Sequence, residues 1–287
     1  DKVHIGVSDN IIKNVKSVVV PNTNGMRGIE AAAAAGIVGG DAGKQLEVIA
    51  SVTEEEKEEM KAFLSKTPVK IEAIDNGIIF DITLFKGADS SVVRISQYHT
   101  NIVYVKKNEC VLLDSGNEEN KNTCEDLTAS EAGLTDKSLL NIKDILDFAD
   151  TCNIADVKAV LEEGLLGDYG ANIGSTYLKF YGYEVRNRAI AKAAAGSDAR
   201  MSGCEFPVII NSGSGNQGIT VSVPVIEYAK DLAVPKEKLY RALVVSNLIA
   251  VHEKTGIGRL SAYCGAVSAG CAAGCGIAYL QGGDYRA

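Results

Sequence analysis

Residues 211–218 read Asn-Ser-Gly-Ser-Gly-Asn-Gln-Gly and follow directly on the apolar run 206–210. Glycine frees a backbone to turn. A glycine-rich loop that opens a helix presents unpaired N–H groups and the positive end of the helix dipole to an anion. Ser214, Asn216 and Gln217 add side-chain donors, and Asn211, Ser212 and Gly213 complete the loop. A phosphate or a carboxylate would suit such a site. The loop is not a Walker A motif, because no Lys-Ser/Thr pair follows its glycines. A dinucleotide fingerprint is disfavoured too, since the strand–helix–strand context is missing. The competing reading is a tight turn with a capping run. A bare turn seldom needs six such residues.

A second stretch, 261–276, carries Cys264, Cys271 and Cys275 at i, i+7 and i+11. On a helix these fall on one stripe, the later two each within ~20° of Cys264. That invites a metal site, but positions i and i+7 lie ~10 Å apart along the axis. Metal–thiolate bonds are only about 2.3 Å long. A continuous helix can therefore offer one ligand here, or two if glycines break it. The other cysteines would be small core residues. His252 precedes Glu-Lys-Thr-Gly and leads toward Arg259 and Cys264. It reads as an active-site base or donor, against the competing role of a cation at a helix C-terminus. Lys254 is a second basic candidate. His99 is expected at a sheet turn with a surface role. Asp198 and Arg200 are expected to cap or pair at a helix end.

The elements that must position these groups follow from periodicity. Residues 3–7 and 16–20 read as a strand pair around a polar connection, followed by an Ala-rich helix over 29–38. These first 49 residues are expected to pack on a helical domain. Residues 50–114 read as a small domain. Its helix, over 53–65, has Thr53 as N-cap and glutamates in the first turn. Five β-branched runs of period two follow. Residues 115–137 are a polar linker. Residues 138–287 are a helical, catalytic domain with helices expected over 138–151, 154–164, 173–183, 184–195, 219–232, 235–252 and 258–280. The fold class is α+β: a large helical domain with a small antiparallel-sheet and helix domain. No alternating βαβ pattern supports a doubly wound fold.

Bulk numbers narrow the partners. The chain has 287 residues, is 46% hydrophobic and carries a formal charge of −8. The negative charge argues against nucleic acid. No apolar run reaches the roughly 18 residues of a membrane span, and no signal peptide is recognisable. The seven cysteines are odd in number and form no CxxC pair, which suits reduced thiols and a cytoplasmic location. Ala- and Gly-rich helices would allow a homodimer. The chain starts at Asp1 and stops without a cap or polar tail. It reads as an internal piece of a longer polypeptide, with tag removal or processing as the rival explanation.

Several longer motifs carry a resemblance. They are Cys204-Glu-Phe-Pro with the 211–218 loop and Ile219, and Gly258-Arg-Leu-Ser-Ala-Tyr-Cys-Gly265. Ser8-Asp-Asn-Ile-Ile-Lys-Asn14, Val20-Pro-Asn-Thr23, Gly28-Ile-Glu-Ala-Ala32, Gly39-Gly-Asp41 and His99-Thr-Asn-Ile102 belong to the same set. Over nearly its whole length the chain resembles the L-serine dehydratase alpha-chain superfamily, on its L-cysteine desulfidase side. The resemblance implies a 4Fe–4S lyase that removes a β-substituent from a small L-amino acid. Cysteine would give pyruvate, ammonia and sulfide; serine would give pyruvate and ammonia. Such clusters take three cysteine ligands and leave one iron open as a Lewis acid. Cys264 matches one ligand. The family segments Gly-Cys-Thr-Glu-Pro and Cys-Asp-Gly-Ala-Lys, which supply the other two, are not in this sequence. These residues alone are thus expected to hold no complete cluster and to be inactive as they stand. In this scheme the 211–218 loop holds the substrate carboxylate. His252 or Lys254 removes the α-proton, and Arg259 pairs with substrate or offsets cluster charge. A pyridoxal-phosphate enzyme is the rival chemistry, but it needs a Schiff-base lysine and a phosphate-cradling glycine run, and no convincing pair is found. The rival from another class is a non-catalytic, small-molecule-binding or regulatory homologue with residues 50–114 as the sensor.

Overall fold

The computed structural model describes residues 1–74, 78–96, 101–115, 140–152, 170–204, 208–257 and 265–286. They fall into two compact units, Asp1–Ser130 and Glu131–Ala287. The architecture is α+β.

The first unit is built on a six-stranded sheet. Its strands are β1 (Lys2–Val7), β2 (Val69–Ala73), β3 (Ile78–Lys86), β4 (Asp89–Ser96), β5 (Ile102–Lys107) and β6 (Cys110–Asp114), in the order β2-β1-β3-β4-β5-β6. β1 runs parallel to β2 and antiparallel to β3, and the remaining pairs are antiparallel. A parallel pair needs a crossover connection. Here it runs through α1 (Asp9–Val15), α2 (Gly28–Gly39) and α3 (Glu54–Lys66). Period two sends Val3, Ile5 and Val7 to one face, where Ile11, Ile12, Val15, Ile29, Ala33 and Phe63 of the three helices cover them. Thr53 starts α3 with a full capping box: its hydroxyl accepts from Glu56 N, and the Glu56 carboxylate accepts from Thr53 N.

Residues 1–49 contribute a strand to this sheet. β1 bonds on both edges, Val3 opposite Val69 on one side and Leu84 on the other. β1 is therefore an interior strand of the first unit's sheet. The expected strand over 16–20 makes only an isolated bridge, Val19 to Arg27. The polar connection before it is α1, because Ile11, Ile12 and Val15 share a helical face. A 3₁₀ turn spans Ala42–Glu47.

The second unit contains α4 (Ile142–Thr151), α5 (Ile173–Tyr181), α6 (Val185–Met201), α7 (Gly215–Asp231), α8 (Lys236–Ile257) and α9 (Ala266–Leu280). α8 is buried along most of its length and packs on α4, α7 and α9. Small residues let the helices approach. A Cβ at Gly276 would lie 2.9 Å from Val225 Cγ2 and 3.0 Å from both Ala242 O and Ser246 Cβ. Glu227 of α7, only 5% exposed, receives Arg188 Nε at 2.8 Å and also binds Lys192, both from α6. Arg241 of α8 donates to Ala149 O and Asp150 O at 2.6 and 2.7 Å, which satisfies carbonyls that the end of α4 leaves without partners.

The helices expected over 219–232 and 258–280 start elsewhere: α7 begins four residues earlier, and α9 begins at Ala266 with Gly265 as its N-cap. The helix expected over 154–164 and, apart from Ser115, the linker lie outside the described residues. No helix among the described residues is long and apolar enough to cross a membrane.

Candidate functional site

The 211–218 loop is shaped by two left-handed residues in succession. Ser212 has φ 50° and Gly213 φ 82°. Asn211 and Ser214 exchange backbone hydrogen bonds across them, at 3.2 and 3.1 Å. Two positive φ values at the centre of a four-residue turn are the signature of type I′ geometry. α7 starts at once, at Gly215. Its N-cap, Ser214, is extended and makes no side-chain cap bond. The first N–H groups of a helix have no intrahelical acceptor, so Gly215, Asn216 and Gln217 present an uncapped, dipole-positive end.

Glycine is required for a steric reason at two of these positions. A Cβ at Gly218 would stand 1.9 Å from Ile209 O, so the incoming chain lies directly on the helix. A Cβ at Gly215 would stand 2.6 Å from Arg200 Nε. The guanidinium of Arg200, at the end of α6, is thus set against the first residue of α7. Its Nη1 donates to Asn216 Oδ1 at 3.1 Å. Burial holds this guanidinium below the ordinary arginine pKa.

Asn211 and Gln217 are each 6% exposed. Asn211 Nδ2 donates to Oδ1 and O of Asn247, on α8, at 3.0 and 3.2 Å, and its Oδ1 accepts from Ser212 Oγ at 2.9 Å. Asn247 in turn donates to Leu243 O at 2.9 Å and to Ser222 Oγ at 3.4 Å. The Asn211 amide is therefore spent on anchoring the loop to α8. Gln217 differs: its Oε1 is buried and has no hydrogen-bond partner among the described residues. Its amide lies on Gly265, where a Cβ would be 2.3 Å from Cδ and Oε1. The starts of α7 and α9 thus meet at this contact.

The other expected site residues are distributed as follows. Lys254 lies on α8 and is 7% exposed. It comes seven residues after Asn247, hence on the same helix face within ~20°. His252 comes five residues after Asn247, which turns it roughly 140° away. Arg259 and Cys264 lie outside the described residues, as does His99; Gly265, the next residue after Cys264, is the one against Gln217. Cys275 packs on the α8–α9 core as expected, whereas Cys271 is exposed. A hydrogen bond with Glu253, then burial, push the Cys271 thiol up to about 11. Burial, then the Glu253 charge, raise Cys275 as well.

Two participants were not singled out as site residues. Asn247 announces itself only as a polar residue inside the apolar run 242–251. Arg200 is expected to cap or pair with Asp198 at a helix end, but only Asp198 caps: its Oδ2 accepts from Ala171 N at 2.8 Å and from Ile173 N at 3.5 Å, at the start of α5.

A three-thiolate cluster site does not fit the described residues. No group of three His, Cys, Asp or Glu side chains among them could hold a metal ion. Cys110, Cys152, Cys204, Cys271 and Cys275 are all free thiols.

Fold and site together define an α+β protein with an uncapped, amide-lined helix start in its helical unit. The chain belongs to the serine dehydratase alpha chain family, whose model matches residues 43–287. It is 55% identical to a UPF0597 protein of Desulfitobacterium hafniense, over 99% of this chain and 67% of that protein. UPF0597 proteins of Lachnoclostridium phytofermentans and Treponema denticola are 49% and 45% identical, over 99% and 100% of this chain and 69% of each relative. The chain thus spans about two thirds of the length of these relatives. No solved structure matches it significantly.

Proposed function

We propose that the 211–218 loop is the substrate site of a lyase that performs β-elimination on a small L-amino acid, of the L-cysteine desulfidase or L-serine dehydratase type. The observation that carries this reading is the uncapped start of α7, held rigid by the Asn211–Asn247 contacts and by the close approach at Gly218. Its N–H groups, with Ser214 and Asn216, receive the substrate carboxylate. Family membership supports the reaction class.

Lys254 is the proposed base, because it shares the α8 face of Asn247 and is nearly buried; lysine is an established general base. His252 points roughly 140° away from that face. The base takes the α-proton and the Cβ–S bond breaks with its electron pair leaving on sulfur. The 2-aminoacrylate so formed tautomerises to an imine, and water hydrolyses it to pyruvate and ammonia. Serine loses its hydroxyl as water in the same way. The iron–sulfur cluster implied by the family would act as a Lewis acid. Cys264 is its one proposed ligand in this chain, with Arg259 offsetting charge nearby. The described residues offer no full ligand set, so the steps assigned to this chain are binding, orientation and proton transfer.

Titration calorimetry of the chain with L-cysteine and L-serine tests the site. Binding is expected, and Asn216→Ala should weaken it far more than it lowers the melting temperature. Equal losses of both would make the loop structural. A folded chain that binds neither amino acid would overturn the reading.

A further inference from the structure

Two groups at the start of α7, the half-buried Arg200 guanidinium and the buried Gln217 amide, lack the partners their chemistry favours. The Arg200 guanidinium donates to Asn216 Oδ1 at 3.1 Å and to Met201 Sδ at 3.6 Å. No carboxylate pairs with it among the described residues, and the nearest acid in sequence, Asp198, is engaged at α5. A desolvated cation without an anion is costly. On the other flank of the same helical turn, Gln217 Oε1 is a buried acceptor without a donor among those residues. Its amide faces Gly265. A buried carbonyl oxygen without a donor is likewise costly.

We propose that Arg200 and Gln217 read the two charged ends of an α-amino acid: the guanidinium takes the carboxylate, and Gln217 Oε1 accepts a proton of the ammonium. This rests on the amino-acid site proposed above and adds to it the residues that select the substrate class. The N–H groups of α7 and the guanidinium both favour an anion, which a phosphate would also satisfy. A phosphate offers Gln217 only the hydroxyl of a protonated form and no cation. A zwitterion meets both demands, with its two charges one carbon apart. Arg200 is then a substrate-binding residue, and Asn216 orients it by accepting from Nη1.

The test divides the ligand. 3-Mercaptopropionate keeps the carboxylate of cysteine without the ammonium, and cysteamine keeps the ammonium without the carboxylate. Calorimetry on the wild-type chain should show L-cysteine binding about 10- to 100-fold more tightly than either fragment. Arg200→Gln should weaken L-cysteine and 3-mercaptopropionate by a similar factor and leave cysteamine unchanged. Gln217→Leu should do the converse. Arg200→Lys, which keeps the charge but not the planar fork, should fall between. If Arg200→Gln binds L-cysteine like the wild type, or loses both fragments equally, this assignment is wrong while the amino-acid site stands. If the wild type binds neither L-cysteine nor L-serine, both are wrong. Should Arg200→Gln fail to fold, Arg200→Lys and the wild-type fragment ratios decide: fragments binding as tightly as L-cysteine would refute the division of roles.

Discussion

Two glycines of α9, two residues apart, should respond to alanine in opposite directions. At Gly274 a Cβ would meet nothing within 4 Å, because the position opens on a shallow apolar cleft between α6, α7 and α9. Alanine in a helix interior is favoured over glycine by about 1 kcal/mol, so Gly274→Ala should stabilise by roughly that amount. Gly276 carries the same helical gain but lies at the crossing with α7 and α8. Its Cβ would press on Val225 Cγ2 at 2.9 Å, and on Ala242 O and Ser246 Cβ at 3.0 Å. Ala242 O is backbone and Ser246 is fully buried, so neither yields easily. Overpacking of this kind costs about 1–3 kcal/mol, which exceeds the propensity gain. Gly276→Ala should therefore destabilise by about 1 kcal/mol, and the two variants should differ by roughly 2 kcal/mol. For a unit of this size that separates their melting temperatures by about 4–8 °C. Thermal and urea denaturation followed by circular dichroism at helical wavelengths would read it. Two shifts of the same sign would refute the packing drawn for the α7–α8–α9 crossing.

Glu227→Gln should cost about 2 kcal/mol in urea denaturation, below the usual toll of a broken buried pair, because Arg188 keeps Asp231 and Lys192 can hydrate. Burial alone would raise the Glu227 carboxyl, but hydrogen bonds from Lys192 and Arg188 outweigh it and hold the group below its ordinary 4.5. Its contribution is thus fully present above pH 4.5 and fades as pH falls through the lower folded value. The Gln variant should lose that part of the acid sensitivity. Gly218→Ala, whose Cβ would meet a backbone oxygen at 1.9 Å, should cost about 3 kcal/mol. A variant as stable as the wild type in the same urea titration would show that residues 208–210 do not lie against α7.

The alternation of Val3, Ile5 and Val7 and the Thr53–Glu56 capping pair were legible because period and cap are local signals. The place of β1 was not. Its partners, β2 and β3, come more than 60 residues later, and nothing within residues 1–49 names them. The sequence places the start of α7 at Ile219, since glycine and asparagine are poor helix formers. Tertiary contact overrides that preference, since Gly218 must be helical and bare to let Ile209 pass. The loop stood out as chemistry through its small polar residues. The division of labour inside it did not, because Asn211 is claimed by Asn247 and Asn216 by Arg200, both distant in sequence. Asp198 and Arg200 looked like one pair and serve two different helices.

Cys271 is exposed on α9, yet Glu253 and burial lift its thiol to about 11. At neutral pH only about one molecule in ten thousand carries sulfur in its anionic, nucleophilic form there. A surface thiol kept protonated in this way forms mixed disulfides slowly. Oxidation by peroxide, which also begins at the thiolate, is slowed there in the same way.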